Sequence, residues 1–138
     1  MSYPEPVVGA LILSYDNEIL LIKQAKWNDQ YCIPGGHIEL GETIEDALIR
    51  EAKEETGLDI SVIKMLGVQD NIHSPSFHKK KHFIFLDYLC KTSQKDVLLD
   101  KREAQDFLWC DAEKALELNL AEGTRTTIIR FLSDGRHG

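Results

Sequence analysis

A mixed α/β (α+β) fold, with a mixed β-sheet carrying helices on its faces, is what the sequence predicts. Three features carry that expectation. A pair of β-branched apolar runs opens the chain, a capped helical segment follows, and further strand-like runs then precede two helical stretches. Val7 to Ser14 (VVGALILS) and Glu18 to Gln24 (EILLIKQ) flank the turn tripeptide Tyr15-Asp16-Asn17 and read as an antiparallel hairpin. Trp27 to Tyr31 is a polar loop with aromatic ends, and Pro34-Gly35-Gly36 is a hard break. From Thr43 to Thr56 the periodicity becomes helical, with Thr43 as the cap, Asp46 as a weak capping-box partner and Gly57 as the stop. Ser61 to His73 and His82 to Lys91 read as strands joined by the basic loop Ser74 to Lys81. Phe107 to Cys110 is a short strand, Asp111 caps a helix over Ala112 to Leu118, and Glu122 to Leu132 is the last helix.

Composition narrows the function classes. A chain of 138 residues, 43% hydrophobic and 28% charged, suits one globular domain over 1–138. Sixteen Lys and Arg against 23 Asp and Glu leave a net charge of -7, which disfavours a nucleic-acid polymer as partner. A small anionic substrate remains compatible if a cation lies between. The apolar runs are too short to span a bilayer, and MSYPEPVVGA lacks the basic and apolar regions of a signal peptide. No membrane partner is expected, and the cysteines point to a cytoplasmic protein. Cys32, Cys90 and Cys110 are an odd set without metal-like spacing, and read as reduced thiols packed as small apolar groups.

The informative segment is Thr43 to Gly57. Ile44, Ala47 and Leu48 form a core-facing stripe, and one and two turns later the same arc holds Glu51, Glu54 and Glu55. Like charges at three- and four-residue spacings repel, so helix stability does not account for them. Burying unpaired carboxylates costs several kcal/mol per ion, so a cation belongs there. Arg50 offsets part of one charge; a hard divalent cation offsets more. Before the helix, Pro34-Gly35-Gly36 permits close backbone approach to a ligand, and a glycine-rich loop entering a helix favours phosphate oxygens.

Those residues carry a specific resemblance. Gly36 to Leu58, GHIELGETIEDALIREAKEETGL, resembles the signature box of the Nudix hydrolases: Gly, five residues, Glu, seven residues, Arg-Glu, an aliphatic, any residue, Glu-Glu, any residue, Gly, an aliphatic. Gly36, Glu42, Arg50, Glu51, Glu54, Glu55, Gly57 and Leu58 occupy the fixed positions, with Ala52 where a bulkier aliphatic is usual. The resemblance implies an α/β/α sandwich with a mixed β-sheet, and hydrolysis of a nucleoside diphosphate linked to another group. It implies magnesium (Mg2+) or manganese (Mn2+) held by Glu51, Glu54, Glu55 and the Gly36 carbonyl. Glu42 would stand behind these ligands or bind a bridging water, and Arg50 would orient a glutamate and hold the cluster together. The catalytic set is expected among Glu51, Glu54, Arg50 and Glu103, the last resembling the later-loop glutamate that some members use as base.

Gly35, Gly36 and Phe77 are the substrate-binding candidates. Trp27 and Tyr31 are further candidates for stacking on a base, each weighed against ordinary packing, and Trp109 reads as core. His73, His78 and His82 lack a geometric spacing for zinc, and Lys79 to Lys81 read as a solvated loop. The compact length resembles mutator-type nucleotide pyrophosphohydrolases, so the leading substrate is a nucleoside triphosphate or its deoxy form, giving the monophosphate and pyrophosphate. Ser74-Pro75, near the offset of a proline seen in ADP-ribose hydrolases, keeps ADP-ribose as the alternative. A non-catalytic nucleotide sensor is the second alternative, disfavoured because every box carboxylate is present. A homodimer is compatible with the sequence, with the apolar N-terminal strand as the edge it would pair through.

Overall fold

The computed structural model describes residues 2–135. Seven strands, β1 Glu5–Leu13, β2 Ile19–Gln24, β3 Gln30–Cys32, β4 Gly35–His37, β5 Ser61–Ile72, β6 His82–Lys91 and β7 Asp106–Cys110, form one mixed sheet. Three α-helices accompany them: α1 Ile44–Thr56, α2 Ala112–Ala115 and α3 Glu122–Gly135. The sheet runs β3-β2-β1-β6-β5, with β4 also on β1 and β7 also on β2.

β1 organises the sheet. It pairs in parallel with β6 over its whole length, from Glu5 opposite Phe83 to Leu13 opposite Lys91. On its other side Val7–Gly9 meet β4 and Leu13 meets β2, both antiparallel. Because both faces of β1 are covered, it reads as an unbroken apolar run rather than an alternation. Val8, Ala10 and Ile12 join Leu20, Ile22, Ala47, Leu48 and Ala52 in the core under α1. Leu11, Ile19 and Leu21 face the opposite way and join Ala112, Ala115, Leu120 and Ile128 in the core under α2 and α3. The three-layer sandwich is therefore built by strict alternation on the two innermost strands.

Three expectations are corrected here. Pro34-Gly35-Gly36 is not a break: the Pro34 carbonyl accepts from the Ala10 N–H at 2.8 Å, and Gly35–His37 continue as β4. The proline removes one donor without ending the pairing. The N-terminal strand is not an edge available for dimerisation, because β6 takes one side of it and β2 and β4 take the other. Gln30 and Tyr31, read as the end of a loop, belong with Cys32 to the short edge strand β3 Gln30–Cys32. Cys32 and Cys90 are buried, Cys110 is half-buried, and all three are free thiols. No helix among the described residues is long and apolar enough to cross a membrane.

Candidate functional site

The site lies where β4 meets α1. The helix starts as its cap requires, with the Thr43 hydroxyl accepting from the Asp46 N–H at 3.1 Å, and ends at Gly57 in a left-handed conformation with φ 75°. Those ends set the rotation of the carboxylate arc. Glu55 turns fully inward and is 2% exposed. Its Oε1 accepts from the Gly35 N–H at 3.0 Å and its Oε2 from the Gln24 amide at 3.1 Å. Burial, and then the adjacent Glu51 carboxyl, push the Glu55 carboxyl well above the usual carboxylate range. Glu51 is half-buried and lies against Gly36, where a Cβ would stand 2.6 Å from the Glu51 carboxyl carbon. Only a glycine leaves that space. Glu54 is on the outer rim, with its side chain 58% exposed.

Arg50 ties the cluster together. Its Nε and Nη2 donate to the two oxygens of Glu42 at 2.7 and 2.9 Å, a fork-on-carboxylate pairing. Nη1 donates to Glu51 at 2.9 Å and Glu54 at 3.2 Å, and Nη2 also reaches the His37 carbonyl at 2.9 Å. Arg50 and the Glu39 N–H hold the Glu42 carboxyl down at about 2. Glu42 thus braces Arg50, and Arg50 aims Glu51 and Glu54. Among the described residues no three acidic, histidine or cysteine side chains converge as a ready metal cluster. The guanidinium occupies the space between Glu51 and Glu54 instead. The donor set still fits a hard divalent cation: two adjacent carboxylates, a side-chain-free backbone at Gly36, and a third carboxylate at the rim.

Glu103 stands on the loop between β6 and β7. That loop docks on the end of α1, with the Leu98 N–H donating to the Thr56 carbonyl at 2.8 Å and the Asp100 N–H to the Glu55 carbonyl at 3.2 Å. Glu103 is exposed and makes no side-chain hydrogen bond or ion pair among the described residues, while Ala104 beside it is buried as the loop's anchor.

A pocket opens from Gly35 and Gly36 between the sheet and the start of α3. Trp27, Phe77, Phe83 and Phe85 wall it; the Trp27 and Phe77 rings are 4.6 Å apart, and Phe77 meets Phe83 edge-on at 5.0 Å. Phe77 reaches this wall because its loop is pinned at three places. Asn28 donates to the Pro75 carbonyl, the His78 N–H donates to the Lys26 carbonyl, and the Ser76 hydroxyl accepts from the Glu122 N–H. Tyr31 is not in the wall; it packs with the core under α2 and α3, with Lys23 over its ring. Trp109 packs in the core under α1 and donates to the Lys95 carbonyl. Lys79 and Lys80 are exposed, and Lys81 pairs with Glu5 at 2.8 Å. Neither His78, bonded through Nδ1 to the Lys26 carbonyl, nor His82 belongs to a metal cluster.

Sequence reasoning missed five residues. Gln24 is the third inward position after Leu20 and Ile22, so an amide there inside an apolar alternation was a readable signal. Lys26 lines the pocket and its charge acts on Glu55. Phe83, Phe85 and Asp87 share one face of β6 at period two, and the acid in that series was the sign of a polar floor.

A sheet sandwiched by helices, with a carboxylate-bearing helix meeting a glycine loop beside an aromatic pocket, defines a phosphoanhydride-hydrolase architecture. A NUDIX domain model matches residues 4–131. The nucleoside triphosphatase NudI of Enterobacter sp. (strain 638) is 32% identical over 129 residues, covering 86% of this chain and 91% of that protein. The ADP-ribose pyrophosphatase of Methanocaldococcus jannaschii is 41% identical over 100 residues, covering 70% of this chain and 57% of that protein. The crystal structure of the MutT protein from Methanosarcina mazei Go1 superposes with a TM-score of 0.82 at 25% identity, covering 98% of both chains. The chain belongs to the Nudix family and is a Nudix hydrolase.

Proposed function

We propose that the chain hydrolyses the phosphoanhydride of a nucleoside triphosphate or its deoxy form, giving the nucleoside monophosphate and pyrophosphate. The observation that carries this is the continuity of the pocket. Gly35 and Gly36 form its border, and the same two residues touch Glu55 and Glu51. A nucleoside seated among the aromatic rings therefore delivers its phosphates to the carboxylates. The likeness to NudI, which runs nearly the full length of both proteins, supports a triphosphate. ADP-ribose is the second reading, supported by the archaeal relative named for that substrate.

Glu51, Glu54, Glu55 and the Gly36 carbonyl would hold Mg2+ or Mn2+, which supplies charge neutralisation at the pyrophosphate oxygens and a more acidic water. The chain's own groups do the rest. Gly35 N–H and Gln24 fix Glu55, and the Glu42–Arg50 pair fixes Glu51 and Glu54. Lys26 faces the pocket as a cation for a phosphate oxygen. Water attacks phosphorus; one P–O bond forms as the bond to the leaving phosphate breaks, and a carboxylate oxygen of Glu54 or Glu103 takes the proton.

The test is a panel of triphosphates, ADP-ribose and dinucleoside polyphosphates with mass-spectrometric product readout, with and without EDTA, on wild type, Glu54→Gln and Glu103→Gln. Cation-dependent release of monophosphate and pyrophosphate, lost in Glu54→Gln, is the expected result. Ribose 5-phosphate from ADP-ribose at higher kcat/KM selects the second reading. Unchanged turnover in Glu103→Gln removes that residue from the mechanism, and absence of turnover with every compound overturns the proposal.

A further inference from the structure

The pocket has a polar floor that the hydrolysis described above does not use. Asp87, in the middle of β6, is 3% exposed and lines the pocket at its buried end. Its Oδ2 accepts from the Gln69 amide at 2.8 Å, and the same amide reaches the Gly123 carbonyl and the Thr127 hydroxyl of α3. The Thr127 hydroxyl, which donates to the Gly123 carbonyl at 3.0 Å, stands beside the same carboxylate. Oδ1 of Asp87 lies over Gly9, opposite it on β1, where a Cβ would stand 2.5 Å away. Three elements are thus shaped around the carboxylate: β1 by omitting a side chain beside Oδ1, β5 by an amide, α3 by small polar residues. Its bond to Gln69, and through that amide to α3, fixes the carboxylate in place, and its burial stays costly unless a donor on a ligand meets it.

Position selects its ligand. Gly35 pairs with Gly9, and Gly9 with Asp87, so Asp87 lies two strand spacings, roughly 10 Å, beyond the glycine that bonds Glu55. Phosphates held at the carboxylates leave the sugar near the glycines and the base among the rings. The group that reaches the floor is the edge of the base.

We propose that Asp87 is a specificity-determining residue: its Oδ1 accepts a hydrogen bond from an amino or imino N–H on the pairing edge of the nucleobase. This inference rests on the nucleotide reading above. The pocket then favours nucleotides whose base presents such a donor and rejects a base offering only acceptors, since no donor on the ligand would then meet Oδ1.

The test compares ATP, GTP and CTP with purine riboside 5′-triphosphate, whose base has no N–H on that edge. kcat/KM is measured for wild type and for Asp87→Asn, whose fold is checked by thermal melting. In wild type at least one amino-bearing nucleotide exceeds the purine riboside compound by about tenfold or more. In Asp87→Asn that ratio falls to within about twofold. Equal ratios in the two proteins overturn the proposal. Gly9→Ala is the second variant: its methyl displaces Oδ1 while keeping the carboxylate, and it lowers the same ratio. If wild type hydrolyses none of these, the function reading fails, and calorimetric binding of AMP, GMP, CMP and purine riboside monophosphate decides this one. Discrimination lost in Asp87→Asn sustains it; equal binding, or none, overturns it.

Discussion

Two buried carboxylates, Glu55 and Asp87, sit at opposite ends of one pocket, and burial raises both. Glu55 has a neighbour of like charge in Glu51, whereas at Asp87 the Gln69 amide, the Thr127 hydroxyl and the charge of Arg130 all act against the rise. Glu55→Gln should therefore lower turnover by about 100-fold or more, because it removes a candidate cation ligand. It should also lower the melting temperature in EDTA, because one amide oxygen cannot accept from both the Gly35 N–H and the Gln24 amide. Steady-state kinetics and a thermal melt of the same sample check both. For Asp87, burial pushes the carboxyl up to about 6 against an ordinary 3.8. The folded protein then binds this proton more tightly than the unfolded chain does. The associated stability is fully present below the unfolded value and is lost as pH rises through the folded one. Between pH 4.5 and 7.5 wild type should lose about 2 kcal/mol relative to Asp87→Asn, measured as the difference between their urea unfolding free energies. A difference independent of pH would show that Asp87 is not raised. Neither burial was legible from residue type alone: Glu51, Glu54 and Glu55 share one arc in sequence, and only the packing of β4 and β2 separates the buried Glu55 from the exposed Glu54.

At the scale of elements, α1 was fully legible and the sheet only in part. Cap, stripe and stop are local signals, and α1 spans Ile44–Thr56 between the Thr43 and Gly57 that mark it. The strands were recognisable one by one, but their partners were not. The long parallel ladder joins Glu5–Leu13 to Phe83–Lys91, a pairing that no local residue announces. β4 was hidden because Pro-Gly-Gly is turn chemistry by composition, and only the neighbouring β1 makes it a strand. Arg50 joins these elements, bonding Glu42 before the helix, Glu51 and Glu54 within it, and the His37 carbonyl at the end of β4. Arg50→Ala should cost roughly 1–3 kcal/mol, since its partly exposed partners lose charge-assisted hydrogen bonds but can regain water. It should also cost more turnover than the stability loss accounts for, because Glu51 and Glu54 are no longer aimed. Arg50→Lys should recover stability better than turnover, since an ammonium supplies charge without the two-pronged geometry. Calorimetry and kcat on the three proteins separate these effects.

Considered as a whole molecule, the sandwich places binding and chemistry on different supports. The carboxylates ride on α1, anchored to the sheet by β4; the aromatic wall comes from the segment after β2, the loop before β6, and β6 itself. The two halves meet along a narrow seam of Gly35 and Gly36 with Gln24, Lys26 and His37 beside them. Substitution in the wall should therefore act on substrate affinity and leave the chemical step nearly untouched. Phe77 is the cleanest probe. It is half-buried on a loop, touching the rings of Trp27, Phe83 and His78 but neither β4 nor α1's carboxylates. Stacking on a base is worth about 1–3 kcal/mol, so Phe77→Ala should raise KM for a triphosphate roughly five- to 150-fold. kcat should change less than about threefold, the mark of binding energy shared equally by ground state and transition state. The same variant should leave hydrolysis of a substrate lacking the base, such as ribose 5-triphosphate, unaltered. A loss of kcat comparable to the rise in KM would instead mean that the base positions the phosphates, and that the two halves of the pocket act as one.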